Sequence, residues 1–122
     1  MTVCQPNCVV RDALFARRIL ITNEMRVQID VGRAFAAAGL DFTSEVDLGN
    51  GRIDFLVRAG DERIGVEIKI KGSARDVHRQ LARYVKTDQI DRLVLVTSHA
   101  HRMPDEIDGK SITVFSLSEQ WL

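Results

Sequence analysis

The chain of 122 residues carries 17 Lys+Arg against 17 Asp+Glu, a formal charge of zero, with 45% hydrophobic and 28% charged residues. A chain of this size forms one compact domain with a real core and needs no metal or disulfide staple for stability, and its neutral sum excludes a globally basic nucleic-acid coat. No apolar run approaches the ~18 residues of a membrane span and the N-terminus lacks a basic-then-apolar signal pattern, so no membrane partner and a cytoplasmic location are expected.

Residues 1 to 10 read as an irregular arm bearing Cys4 and Cys8, whose spacing is neither a C-x-x-C redox pair nor a disulfide framework, so both are read as reduced thiols. Arg11 to Ile21 follows as a short helix or an extended lead-in, so residues 1–22 stand apart as an arm or short helix ahead of an α/β domain at 23–122. Thr22 and Asn23 are N-capping residues, and Glu24 to Ala38 then runs as a helix to Gly39. Asp41 to Leu48 reads as a strand, Gly49-Asn50-Gly51 as a turn, and Arg52 to Arg58 as an alternating second strand. Ile64 to Lys71 is a third strand, with Val66, Ile68 and Ile70 on one side and Glu67, Lys69 and Lys71 on the other. Ser73 to Asp76 resembles a capping box and opens a helix whose apolar stripe is Val77, Leu81, Tyr84 and Val85. Arg92 to Thr97 has the continuous apolar character of a strand covered on both faces. After a loop with His99, His101 and Pro104, Ser111 to Leu117 supplies the last strand, and Trp121 is expected to tuck down the terminus. The order α-β-β-β-α-β-β gives an α/β fold with a mixed central sheet flanked by helices.

Charge is segregated along this order. Between Ile68 and Lys86 stand six basic residues against Asp76 alone, while the segments Asn23 to Gly51 and Met103 to Leu122 are acidic. The second and third strands form a hairpin, and with its loop centred between Gly60 and Asp61 they set Asp54 directly across from Glu67. Like charges opposite one another in an antiparallel ladder cost stability. A divalent cation between them removes that cost, and Mg²⁺ favours one or two carboxylates with water and phosphate oxygens completing its shell. Lys69, two residues along the same face, is placed to orient or deprotonate an attacking water and to offset phosphate charge. Glu24 falls on the core-facing row of Val27, Val31 and Phe35. Two reasons for an acid there are a favourable helix N-terminus and reach to a metal through water. Gln80 lies between Val77 and Leu81 on the apolar stripe, where a buried amide needs carboxylate or metal-bound water partners.

Glu24, then Gly51-Arg-Ile-Asp54-Phe-Leu-Val, then Val66-Glu67-Ile-Lys69, then Arg79-Gln80-Leu-Ala-Arg-Tyr84 resembles the PD-(D/E)XK nuclease superfamily, especially its small Holliday junction resolvases and phage-type repair nucleases. The resemblance spans Glu24 to Thr97 and departs from the pattern at Ile53, which stands where the name-giving proline would be. It implies a restriction endonuclease-like core and Mg²⁺-dependent hydrolysis of phosphodiesters, with Mn²⁺ as a substitute. By position, Asp54 and Glu67 would bind the metal with the Ile68 backbone carbonyl, Glu24 would be water-linked or hold a second ion, Lys69 would be the catalytic lysine and Gln80 the amide of the following helix. The implied partner is DNA of particular structure, with RNA left open, and a homodimer would supply two cuts.

Arg52 and Lys71 share the strand face with the acids and are candidate DNA contacts, as are Arg75 and Arg79 on the basic ridge of the second helix, although such a ridge also suits a solvated face. Glu45 and Asp47 alternate onto one strand face without entering the candidate site. His99 and His101 with Cys4 and Cys8 lack zinc-site spacing. No nucleophile elbow, Walker loop or G-x-G-x-x-G fingerprint is present. The competing expectation is a non-catalytic nucleic-acid-binding or assembly module that keeps the same fold.

Overall fold

The computed structural model describes residues 7–99 and 101–118, so the expectations placed on Cys4 and Trp121 fall outside it. Within those residues the elements run α1 (Cys8–Phe15), α2 (Glu24–Ala37), β1 (Asp41–Asp47), β2 (Arg52–Ala59), β3 (Glu62–Lys69), α3 (Ala74–Tyr84), β4 (Arg92–Thr97), β5 (Glu106–Ile107) and β6 (Lys110–Ser116). They form one small α/β domain around a mixed sheet ordered β1-β2-β3-β4-β6-β5. The first three strands pair antiparallel; β3, β4 and β6 run parallel, and β5 returns antiparallel on β6. Parallel neighbours need a long crossover, and α3 supplies it between β3 and β4. No helix among the described residues is long and apolar enough to cross a membrane.

Local signals set the helix starts. The Asn23 side chain accepts from Arg26 N–H at 2.9 Å at the head of α2, and Ser73 Oγ accepts from Asp76 N–H at 3.1 Å at the head of α3. Each cap satisfies a donor that the helix itself leaves orphaned. The sheet then separates two cores. Helices α1 and α2 cover one face, where Val31, Phe35, Phe55, Val66, Ile68 and Val94 pack together. Helix α3 covers the other, against Ile53, Leu56, Leu93 and Leu95. Strand β4 contributes to both, which explains its unbroken apolar run.

Three expectations need revision. The helix within the lead-in runs from Cys8 to Phe15, so it starts before Arg11 inside the expected arm and leaves residues 16–21 outside it. The reason is packing: Val10, Ala13 and Leu14 are buried with the α2 core, worth on the order of 2 kcal/mol for each large side chain. The two-residue β5 lies in the stretch expected to be loop, too short for a periodic signal. Strand β2 does not alternate throughout: Ile53 and Leu56 both join the α3-side core, so the side-chain period breaks between them. Asp54 lies at this break.

Candidate active site

The β2–β3 hairpin turns through Gly60-Asp61, pairing Ala59 with Glu62 and Phe55 with Val66. The sequence predicts Asp54 directly across from Glu67 in this register, but Phe55–Val66 is its last regular pair, and Asp54 and Glu67 lie beside one another just beyond it without pairing through their backbones. Beyond it, the carboxylates replace the ladder. Glu67 Oε1 accepts from Asp54 N–H at 3.2 Å, and Asp54 Oδ2 accepts from Ile68 N–H at 2.8 Å. Each acid thus uses one oxygen to hold the opposite strand. The N–H and C=O of one strand residue leave on the same edge, so the Ile68 carbonyl also points toward Asp54.

Burial makes the pair unusual. Glu67 is 4% exposed, and burial, followed by the charge of Asp54, pushes its carboxyl up to about 8. Burial likewise raises Asp54, while the Ile68 N–H bond, the contact with Glu67 and the charge of Lys69 pull it back and the charge of Glu24 adds to the rise. Two adjacent carboxylates in a dry site cannot both ionise freely. Burial and the Asp54 charge therefore favour the protonated form of Glu67, and positive charge such as that of Lys69 opposes it.

The remaining residues assemble around this pair. Glu24 opens α2 on the sheet side, where its Oε1 accepts from Ile70 N–H at 3.0 Å just past the end of β3. Neither sequence-based reason for this acid includes that bond: Glu24 anchors the outgoing strand while its charge acts on Asp54. Lys69 ends β3, is partly exposed, and its charge favours ionisation of both Asp54 and Glu67. Gln80 reaches the site indirectly. Its Nε2 donates to the Tyr84 hydroxyl at 2.9 Å, rather than to a carboxylate. The Tyr84 hydroxyl in turn donates to the Arg52 carbonyl at 2.9 Å and stands 3.4 Å from Glu67 Oε2.

Tyr84 is the site residue that sequence periodicity misses. Its ring belongs to the apolar stripe, as expected, but its hydroxyl joins Gln80, Arg52 and Glu67. The available signal is the i,i+4 spacing of Gln80 and Tyr84, which places amide and phenol on one helix face. Burial and the Glu67 charge push the phenol up to about 12, which keeps it a proton donor across the neutral range. Gly51 makes room for it: at φ +153° a Cβ there would stand 2.9 Å from Tyr84 Cε1. Asn50 of the same turn donates to the Arg83 carbonyl at 2.5 Å, tying the turn to the end of α3.

The candidate DNA contacts are less tightly grouped. Arg52 is exposed at the start of β2 and pairs with Glu45 at 3.4 Å. Lys71 lies beyond the end of β3, exposed, and Arg75 and Arg79 are exposed on α3 away from its buried Val77 and Leu81. Ser44 pairs with Phe55 and Val46 with Ile53, so Glu45 of β1 stands across from Asp54, at φ +56°.

Two carboxylates and a backbone carbonyl offer hard oxygen ligands in small number, with the Lys69 ammonium beside them. Among the described residues no group of three or more His, Cys, Asp or Glu side chains converges to cage an ion. The donor set suits Mg²⁺ or Mn²⁺, which keep several waters and take phosphate oxygens, better than zinc, which prefers nitrogen and sulfur.

A family model described only as a domain of unknown function matches residues 13–100, a stretch that contains Glu24, Asp54, Glu67, Lys69, Gln80 and Tyr84. No curated protein matches the chain.

Proposed function

The chain belongs to the DUF8371 family of domains of unknown function, so its activity must be argued from its own side chains, and we propose that it is a metal-dependent nuclease with a restriction endonuclease-like core, hydrolysing phosphodiester bonds in DNA. The observation that carries this reading is the Asp54–Glu67 pair. In it the charge of half-buried Asp54 adds to burial in raising the proton affinity of buried Glu67, and both acids sit beside a lysine where the hairpin ladder ends. An ordinary ladder pair would satisfy the same backbone N–H groups without bringing two carboxyls together, so folding alone does not call for that arrangement.

When bound, Mg²⁺ supplies charge neutralisation at the phosphate and makes a coordinated water more acidic. The chain's residues then have separate tasks. Asp54, Glu67 and the Ile68 carbonyl would hold the ion; the backbone bonds at Asp54 and Ile68 fix the two carboxylates in place. Lys69 orients the attacking water and offsets charge that builds on the phosphate. Tyr84, braced by Gln80 and Arg52, keeps Glu67 in position. Glu24 holds the strand exit and completes the negative surface facing the ion. Arg52, Lys71, Arg75 and Arg79 bind the phosphate backbone without reading sequence. One domain this small has one such site, so cutting two strands calls for a homodimer.

The test incubates the protein with labelled four-way junction, flap, single-stranded and duplex DNA, with matched RNA as competitor, in Mg²⁺, Mn²⁺ or EDTA. Cleavage that requires metal and falls by roughly 10² or more in Glu67→Gln and Lys69→Ala supports the reading. Intact substrates in every metal, with DNA still bound, overturn it in favour of a non-catalytic binding module.

A further inference from the structure

A groove of about 370 Å³ runs between α2 and β1 on the flank of the candidate active site, within the roughly 300–1,000 Å³ usual for small-molecule sites. Its floor is aromatic. Phe42 and Phe55 meet edge to face at 5.9 Å between ring centres. Its helical wall carries Met25 and Ile29, 74% and 44% exposed, among the few large apolar side chains that the fold leaves in solvent. Gln28 and Glu45 form the polar rim, joined by a Gln28 Nε2 to Glu45 Oε1 bond of 3.2 Å.

Gly32 shows that the groove is kept open at a cost. A glycine inside a helix destabilises it by up to about 1 kcal/mol relative to alanine, and Gly32 lies within α2 with an ordinary helical backbone. A Cβ there would reach Phe55 Cε1 at 3.4 Å, a close but tolerable contact that narrows the groove. Folding alone would favour the alanine.

The groove neighbours the site along the chain and across the strand register on three elements. Met25 follows Glu24 on α2, Phe55 follows Asp54 on β2, and Glu45 stands across from Asp54 on β1. A polymer whose phosphate is held at Asp54 and Glu67 thus has its next group at the mouth of an aromatic cleft with hydrogen-bonding partners at the rim. From this we infer that the α2–β1 groove binds one unstacked nucleobase of the nucleic-acid strand, next to the phosphate at the acid pair. The inference rests on the nuclease reading for its choice of ligand. A base offers a flat face for Phe42 and Met25, over the buried Phe55, and polar edges for Gln28 and Glu45, as in single-strand recognition. A strand held this way must be single-stranded or splayed at that position.

Binding in EDTA tests the groove separately from cleavage. Single-stranded oligonucleotides carrying 2-aminopurine, or an abasic residue at the same position, are titrated with the wild-type protein, Gly32→Leu and Met25→Gln. At one position the wild type changes the 2-aminopurine fluorescence and binds the intact strand about tenfold more tightly than the abasic one. Gly32→Leu removes both effects and binds the two strands equally. Met25→Gln, on an exposed side chain with no demand on the core, weakens the preference. Equal binding of intact and abasic strands by the wild type, or an unchanged preference in both variants, overturns the inference. A wild-type dimer that Gly32→Leu dissociates in light scattering also overturns it, assigning the groove to a second copy. Cleavage failure with the base preference intact would remove the nuclease reading and leave the groove in place.

Discussion

Asp54 and Glu67 are cross-braced: Glu67 accepts from the Asp54 N–H at 3.2 Å, and Asp54 accepts from the Ile68 N–H at 2.8 Å. The two acids therefore do the work of a ladder pair with side chains, which lets strands β2 and β3 separate without orphaning those backbone donors. The same bonds hold two carboxyls together in a largely dry place. That proximity favours a cation and opposes folding without one.

The pH dependence of stability follows from this opposition. Glu67 rises from 4.5 in the unfolded chain to about 8 in the fold, so between these values the folded state binds more protons and stability falls as pH rises. The contribution is complete below about 4.5 and lost above about 8. In EDTA, the Tm of the wild type is expected to fall from pH 5 to pH 8.5. Glu67→Gln keeps a neutral group of the same shape and flattens the profile, gaining on the order of 2 kcal/mol at pH 8.5. Thermal melts of both proteins across this range check it; a Glu67→Gln profile as steep as that of the wild type would remove Glu67 as the cause.

Metal binding has to displace the proton that Glu67 retains. Apparent Mn²⁺ or Mg²⁺ affinity is expected to climb about tenfold per pH unit from pH 6 toward 8 and then level off. Calorimetry in two buffers of different ionisation enthalpy should detect the released proton. Asp54→Asn should abolish the binding heat, and pH-independent affinity in the wild type would place the ion elsewhere.

What the sequence made legible is what depends on period and register. A two-residue turn between strands fixed the Asp54–Glu67 juxtaposition, alternation fixed the face of Lys69, and helical spacing turned Glu24 and Gln80 inward. What it concealed depends on groups that serve two purposes. Tyr84 satisfies the apolar stripe with its ring, so its hydroxyl leaves no periodic trace. The break in β2 exists because side-chain carboxylates replace main-chain partners, and that is decided by tertiary contacts. The α2–β1 groove was hidden because Met25 and Ile29 read as ordinary helix residues until the edge strand is set beside them.

Tyr84 gives that concealed part a direct test. Tyr84→Phe retains the ring but removes the hydroxyl that joins Gln80 Nε2 to the Arg52 carbonyl. Leaving these groups without their partner should cost about 1 to 2 kcal/mol, seen as a Tm drop of roughly 3 to 10 °C. Cleavage should fall by about tenfold, less than in Lys69→Ala, since the phenol positions Glu67 and does not meet the phosphate. Because the phenol stays protonated up to about 12, the wild-type rate profile should show no limb from Tyr84 near pH 10. Wild-type Tm and rate in the variant would reduce the Gln80–Tyr84 bond to surface detail.

The basic residues separate by salt. A lysine or arginine that neutralises a phosphate releases condensed counterions, so each contact adds close to one unit to the slope of log affinity against log salt, somewhat less on single strands. Arg75 and Arg79 are exposed one helical turn apart on α3, and both can meet one backbone. Arg52 is already engaged by Glu45 at 3.4 Å, so DNA must compete with that ion pair for its guanidinium. Alanine at Arg75 or Arg79 is thus expected to lower the slope by about 0.7 to 0.9 per residue on every sequence tried. Arg52→Ala should lower it by less, and Glu45→Gln should strengthen binding by freeing Arg52. Anisotropy titrations in EDTA at several salt concentrations measure all four. Unchanged slopes in Arg75→Ala and Arg79→Ala would return the α3 ridge to a solvated face and leave the strand exit around Lys71 as the path of the backbone.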